Sequence, residues 1–589
     1  MRIKILLREL FHKFSGSFKR FPVGMFFAAA MVITMIVLNH TEFDQRALRE
    51  TLERLAMILA LGFPMNLIVR IYWEEKPERR LVHELLCYVV TISLLVLGYF
   101  FLLPELGMVQ ATRYTGYTLA LYLIFLMIPY RNDHEGFEVY VVKLFTAFFV
   151  TYLYSGILYG GLAGILGAIH ILFEVNIPSR LYFDIFLLVA GIVAPAVFLG
   201  EVPRSRKEME EYQYSKVLKV LLLYIVTPLL VVYTIILYAF FVRLLIVRQW
   251  PHNLVAHLIV WYGIFTAITL FLSVPLRSQH SWARIYARWI PAIILIPFGI
   301  LFYGIGVRIH AYGFTEPRYF LLITGFWLTG SMIHYLLGHK KARHLPIVAA
   351  LVAVAFFSVT GPWSGYGISR WSQSGRFDRL MVENSLIGPD DQIQPNAQVS
   401  EEAQKSISSI LQYYERYHDA ADLKGVPEGF EMRNMESVFG FSPIYDYGVP
   451  WEGREYFTLF RAETSGVLNI EGYENMSSFN TYWNRTTAAT VEEEGPLSVI
   501  YHRDSREIRI HSDGTVLYGK SIDDITGPLV EKAGIGRQEP LPRENLIFTD
   551  ETETVRVMVA FRNINGFINR NTDKVEVEGA EMEIFFTVK

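Results

Sequence analysis

The 589-residue sequence contains one cysteine, Cys87, and it sits inside an apolar run. One thiol cannot build a disulfide framework, a CxxC pair or a zinc-finger site. Any domain outside the cytoplasm must therefore hold together by its core alone, which about 225 residues can do. Signatures of catalysis and of cofactor binding are missing too: there is no GxSxG elbow, HExxH pair or EF-hand loop. The sequence calls for no cofactor, no metal and no nucleic-acid partner; without a catalytic constellation it leans toward a ligand- or partner-binding role, the alternative being a membrane enzyme or carrier that handles a lipid-linked or anionic envelope molecule at the outer leaflet.

Charge is sparse, at 19% of residues, against about 25% in an ordinary soluble chain. It is also unevenly signed. From Gly361 onward there are 22 Lys and Arg against 37 Asp and Glu, which leaves 32 against 20 before that point. The net charge of −3 thus conceals a basic first part and an acidic second part.

What the chain has in abundance is apolar sequence: 52% hydrophobic residues, 15% aromatic and a mean hydropathy of +0.29. Apolar runs near the roughly 20 residues that cross a bilayer recur at 21–38, 52–72, 82–103, 114–130, 139–158, 181–200, 217–241, 254–275, 289–307, 319–337 and 345–359. The expectation is a membrane all-α bundle of about eleven transmembrane helices over residues 1–360. Basic residues between runs set its orientation. One side carries Arg2 to Arg20, Arg70 to Arg80, Arg131 to Lys143, Arg204 to Lys219, Arg277 to Arg288 and Lys340 to Arg343. The other has eight, among them Arg248. The expected N-terminus is therefore cytoplasmic, and residues from Gly361 on lie outside the cytoplasm.

Residues 139–173 form an apolar run too long for one crossing. The sequence predicts one crossing, a break near Gly160-Gly161, and an interfacial or re-entrant continuation. Gly156, Gly160, Gly164 and Ala168 would form a small-residue stripe for close helix packing. Pro228, Pro291 and Pro297 predict kinks or breaks. Arg54, Arg243, His257 and His334 fall near span ends, so in-membrane charge reads as thin, which argues against an ion-driven pump.

Residues 361–589 read as an extracytoplasmic α+β domain with a mainly antiparallel sheet. Arg376–Leu386 and Ser400–His418 read as helices, the second with Ile407, Ile410, Leu411 and Tyr414 on one face. Alternation predicts strands at Tyr456–Phe460, Val467–Ile470, Leu497–Tyr501, Glu507–Ile510, Thr515–Tyr518, Thr554–Phe561 and Glu581–Val588. Asn39, Asn475 and Asn484 begin glycosylation-type triplets, a weak pattern. Gly514 to Ser521 fits GxxxxGK[ST] to the letter, but its middle residues are strand formers leaving an Asp513-Gly514 turn. A phosphate-binding loop needs a curled segment there, so the hairpin reading is preferred.

One stretch concentrates polar chemistry between two apolar runs: Arg308-Ile-His-Ala-Tyr-Gly-Phe-Thr-Glu-Pro-Arg-Tyr319. Arg308 and Arg318 offer guanidinium forks suited to phosphate or carboxylate. Glu316 could pair with either, and His310, Tyr312 and Tyr319 complete the group. Two readings stand: a self-satisfied arginine–glutamate clamp, or a site for an anionic lipid or another anionic envelope molecule. Arg308–Tyr319 resembles the signature of an uncharacterised family of bacterial polytopic membrane proteins, domain of unknown function 4153. Lys219–Leu230, Ile235–Tyr238, Gly361–Ser364 with Ser372-Gln373, and Ile470–Tyr473 are similar to further stretches of it. The resemblance implies a bacterial cell-envelope protein of the plasma (inner) membrane, with many spans in the lipid bilayer followed by an extracytoplasmic domain; an anionic lipid or an envelope partner is the expected contact of the Arg308–Tyr319 stretch or of that domain. It implies no activity.

Overall fold

The computed structural model describes residues 14–74, 76, 81–204, 207–210, 212–247, 254–338, 343–388, 392–396, 398–444, 454–462, 468–481, 490–492, 497–502, 505–533, 540–569, 572 and 574–589. Arg2 to Lys13, Arg79, Arg80, Arg206, Arg248, Lys340, Lys341, Val467 and the Asn484 triplet lie outside the described residues.

The apolar runs fold as helices because a backbone in lipid must satisfy its own hydrogen bonds. They are α1 Pro22–His40, α2 Arg46–Glu74, α3 Leu81–Phe101, α4 Met108–Met127, α5 Phe137–Phe173, α6 Ser179–Gly200, α7 Lys216–Val247, α8 Leu254–Leu272, α9 Ser281–Tyr312, α10 Glu316–Gly338 and α11 Leu345–Phe357. Among the described residues nine are long and apolar enough to cross a membrane, while the apolar stretches Ala256–Leu272 and Leu345–Phe357 are shorter. The expected eleven thus divides into nine of spanning length and two shorter ones. α12, Gly365–Glu383, is amphipathic and belongs to the same compact unit, which comprises residues 1–383 and 414–426.

Small residues set the closest helix contacts, as expected where no hydrophobic drive joins helices in lipid. α1 packs on α2 with Gly62 against the Phe27 ring and Gly24 against Leu67. A second core joins α7 to α10 around Ile259, Ile294, Phe298 and Leu328, all fully buried.

Three local expectations are corrected. α5 is one unbroken helix of 37 residues, roughly 55 Å long at 1.5 Å per residue, with no break at Gly160-Gly161. Breaking it would orphan backbone groups in apolar surroundings, which costs more than glycine's low helix propensity. Its small-residue stripe packs against nothing: added Cβ atoms at Gly156, Gly160 and Gly164 would meet no described atom within 4 Å. α9 likewise runs through Pro291 and Pro297. Before Pro228, whose missing N–H frees a carbonyl one turn back, α7 widens into a π-helical stretch, Leu221–Val226.

The second unit, residues 384–413 and 427–589, is α+β. Helix α13, Glu401–Tyr417, starts where Ser400 Oγ accepts from the Ala403 N–H at 3.4 Å. Strands β1 Arg454–Phe460, β2 Asn475–Asn480, β7 Ile547–Glu551, β8 Val555–Asn569 and β9 Lys574–Val588 form one antiparallel sheet, in the order β1-β8-β9-β2 with β7 also on β8. β3 Thr490–Glu492, β4 Leu497–His502, β5 Glu507–Ser512 and β6 Thr515–Ser521 form a second. Helix α14, Ile522–Ala533, closes a core shared by both sheets, with Val557, Val559, Phe561, Ile508, Ile510 and Ile525 inside. β8 is buried on both faces, because Met558 and Ala560 meet Phe585 on its far side. Residues 468–470 are irregular, not a strand, while β2, β3, β7 and α14 were not expected from the sequence.

Gly514 lies in the β5–β6 turn at φ +78° beside Asp513 at φ +49°, the double left-handed turn of a tight hairpin. Thr515–Ser521 is wholly strand, and Lys520 Nζ donates to Asp550 Oδ2 at 2.8 Å. That ion pair holds the Asp550 carboxyl below its ordinary range. The glycine–lysine motif is therefore a strand with a structural ion pair, not a phosphate cradle.

Candidate functional site

The Arg308–Tyr319 stretch is the turn between α9 and α10. α9 stops at Gly313, whose φ of +72° a side chain would resist, and whose N–H donates to Ile309 O at 2.9 Å. α12 then clamps the turn. Gln373 Nε2 donates to the carbonyls of Tyr312 at 3.0 Å and Phe314 at 2.7 Å. The Phe314 N–H donates to Ser372 Oγ at 2.9 Å. Close packing under Gly313 adds a second demand for glycine, because a Cβ there would lie 3.0 Å from both Gln373 Nε2 and Ser372 Oγ.

On this fixed turn sit the arginines. Arg318 donates to Gly313 O at 2.7 Å, and its guanidinium lies 5.6 Å from the centre of the Tyr312 ring. Arg376 of α12 donates to Tyr312 O at 3.3 Å. Arg308, one turn before Tyr312, and Arg376 both lie within electrostatic reach of Arg318. No carboxylate pairs with Arg318 among the described residues. Burial pushes the Arg376 guanidinium below its ordinary value; Tyr312 opposes that shift and the nearby Arg379 adds to it. Three cations thus converge on one turn, an arrangement that favours an added anion.

The other expected members are placed differently. Glu316 is buried, with Oε1 3.9 Å from His418 Nε2, a separation too long for a hydrogen bond. His310 is exposed and makes no side-chain hydrogen bond or ion pair among the described residues. Tyr319 donates to Trp363 O at 2.9 Å and so ties α10 to the segment before α12. Arg376 carries no signal along the chain, because it lies 58 positions after Arg318 and reaches the turn only through helix packing.

His418 yields a pH prediction. Burial pushes its imidazole below the ordinary value, Arg370 adds to the shift, and Asp422 opposes it. A depressed folded value means the unfolded chain binds the proton more tightly. Stability is therefore full above about pH 6.5, and falls as the pH drops through the folded value, by at most about 1.4 kcal/mol per pH unit. Thermal unfolding in detergent between about pH 8 and about pH 5 should show this slope. His418→Gln should flatten it, and an equal slope in the variant would refute the assignment.

Three acid-centred polar groups lie near the ends of the apolar helices. Glu84, inside α3, accepts from Arg70 at 3.2 Å, and Arg70 and Arg20 both reach Glu74, at 3.3 and 2.9 Å. A recess of about 340 Å³ beside them is lined by Arg20, Glu74, Tyr130, Asn132, Tyr140 and Arg204, among others. Glu138, in the first turn of α5, accepts from His344 Nδ1 at 2.7 Å. Asp184, within α6, meets His40 Nε2 at 2.7 Å. Each acid is visible in its run, but its cation or imidazole partner comes from another helix. No group of three His, Cys, Asp or Glu side chains suited to a metal occurs among the described residues.

Many apolar helices followed by a β-rich unit define a multi-pass membrane protein. The family described as Domain of unknown function (DUF4153) matches residues 25–393, more than half of the sequence, and the chain belongs to that family. It is similar to the uncharacterized protein PM1469 of Pasteurella multocida (strain Pm70), with 22% identity over 497 residues, 81% of each chain. No solved structure matches.

Proposed function

We propose that the protein anchors its α+β unit on the outer side of a bacterial plasma membrane and binds an anionic group at the α9–α10 turn. The orientation rests on the basic residues that concentrate on alternate inter-helix segments. The binding role rests on one observation: Arg318 has cationic neighbours, Arg308 and Arg376, and pairs with no carboxylate among the described residues. The ligand class is a phosphate- or carboxylate-bearing headgroup, free or lipid-linked, and a partner displaying such groups would dock through the same chemistry. The role is one of binding, with no chemical step assigned to the arginines.

Phosphatidylglycerol is the test probe, with phosphatidylcholine as the neutral control. A charge-assisted hydrogen bond is worth about 1.5–3 kcal/mol. Arg318→Ala combined with Arg376→Ala should therefore weaken phosphatidylglycerol binding by roughly tenfold or more, read by native mass spectrometry from mixed micelles. Binding of the neutral lipid should not change. Equal phosphatidylglycerol retention by variant and parent would overturn the reading.

A further inference from the structure

The last turn of α1 and the first turns of α6 bring together three side chains from apolar runs about 140 residues apart. His40 Nε2 lies 2.7 Å from Asp184 Oδ2, and Asn39 Nδ2 donates to Asp184 Oδ1 at 2.8 Å and to Arg180 O at 2.9 Å. The Asp184 side chain is only 12% exposed, whereas the His40 side chain is 53% exposed. The acid is thus buried and held on both oxygens, and the imidazole reaches out of the protein.

The tautomer follows from this geometry. A carboxylate can only accept, so the His40 proton sits on Nε2 and is donated to Asp184. The Nδ1 lone pair is then available to solvent. His40 itself borders an open recess of about 560 Å³, lined also by Ile36, Val37, Thr41, Glu42 and Gln45. An imidazole oriented by a buried carboxylate, with its second nitrogen open, has the base–orienter arrangement of acyl-transfer enzymes. The other charged groups nearby are Arg180, which donates to His40 O at 3.4 Å, Arg49, which donates to Thr41 O at 2.9 Å, and Glu42. Arg49 also stacks on Phe43, 4.7 Å from the ring centre. Arg49 and Arg180 thus fix the backbone on either side of the imidazole.

We propose that His40 is a general base for transfer of an ester's acyl group to a hydroxyl at the membrane surface, with Asp184 and Asn39 as its positioning residues. In that step Nδ1 takes the proton as the hydroxyl oxygen bonds to the acyl carbon. Asp184 offsets the resulting imidazolium charge. The same proton then passes to the departing alkoxide as the original ester bond breaks. An ester and an alcohol, or water, give a new ester, or an acid, and a new alcohol. No cofactor or redox partner is required, and the recess wall of Ile36 and Val37 suits an apolar acyl chain.

The decisive variant is Asp184→Asn. Asn39 donates to Oδ1, so it fixes that position as the amide oxygen and turns the new NH₂ toward His40. The imidazole must then accept at Nε2, its proton moves to Nδ1, and the base is lost with the fold intact. Full-length protein in detergent is assayed with p-nitrophenyl butyrate, and its histidine tautomer is read by nitrogen NMR. The parent is expected to hydrolyse the ester with His40 as the Nε2–H tautomer. Asp184→Asn should lose at least about 100-fold of the rate and show the Nδ1–H tautomer, and His40→Gln should lose all of the rate. Parent turnover no greater than that of His40→Gln would overturn the proposal. So would an Asp184→Asn variant with unchanged rate.

Discussion

Glu84→Ala is expected to destabilise the helical unit by about 3–5 kcal/mol, the cost of removing one partner from a buried ion pair. Glu84 is 4% exposed and accepts from the Arg70 guanidinium at 3.2 Å and from Tyr88 OH at 3.3 Å. Arg70, on α2, is itself mostly buried and also reaches Glu74 at 3.3 Å. Arg20 completes an alternating row of four charges, donating to Glu74 and to Val202 O at 2.6 Å. The row joins the chain before α1, the end of α2, α3 and the segment after α6. Deleting Glu84 leaves Arg70 with one shared carboxylate where there were two, in surroundings too apolar to hydrate the excess charge. Glu84→Gln keeps an acceptor and the volume while losing the charge, so it should fall between parent and alanine. Thermal unfolding in detergent, followed through the neighbouring Trp73 fluorescence, measures both. A Glu84→Ala shift equivalent to less than about 0.5 kcal/mol, the range of an ordinary surface change, would show that the row contributes no stability.

Phe561→Ala should cost the α+β unit about 3–5 kcal/mol, the range for emptying a large aromatic position in a core. Phe561 is 1% exposed and lies at the centre of β8, opposite Met582 on β9. Its ring belongs to the core that joins both sheets to α14. A β-bulge follows directly, between Phe561 and Asn563, so the strand cannot slide to fill the space. Phe561→Leu leaves much of the volume and should cost far less. Limited proteolysis of the full-length protein reads the effect, because cleavage within 454–589 should accelerate strongly for the alanine variant. Equal cleavage rates would show that this unit does not depend on the shared core.

The two predictions differ in how much of their basis was legible beforehand. Val555, Val557, Val559 and Phe561 alternate in the sequence, and a strand with those residues on one face follows directly. The apolar runs were equally plain, since a helix in lipid is encoded by composition alone. The hairpin at Asp513-Gly514 was legible because left-handed backbone needs those residue types, and this also excluded a nucleotide loop at Lys520.

What the sequence could not supply was the partner of each buried charge. Asp184 and Glu84 stand in their apolar runs, but His40 lies 144 positions from Asp184 and Arg70 14 from Glu84. Arg376 joins Arg318 only because Gln373 and Ser372 dock α12 against the Gly313 turn. Local pattern decided where helices and strands form, because periodicity and backbone hydrogen bonding act over a few residues. Tertiary packing alone decided that Glu316 turns to His418, that Arg318 keeps cationic company, and that a buried aspartate orients an exposed histidine. Those pairings depend on which helices touch, and contact between helices in lipid is settled by small residues and shape rather than by any pattern along one run.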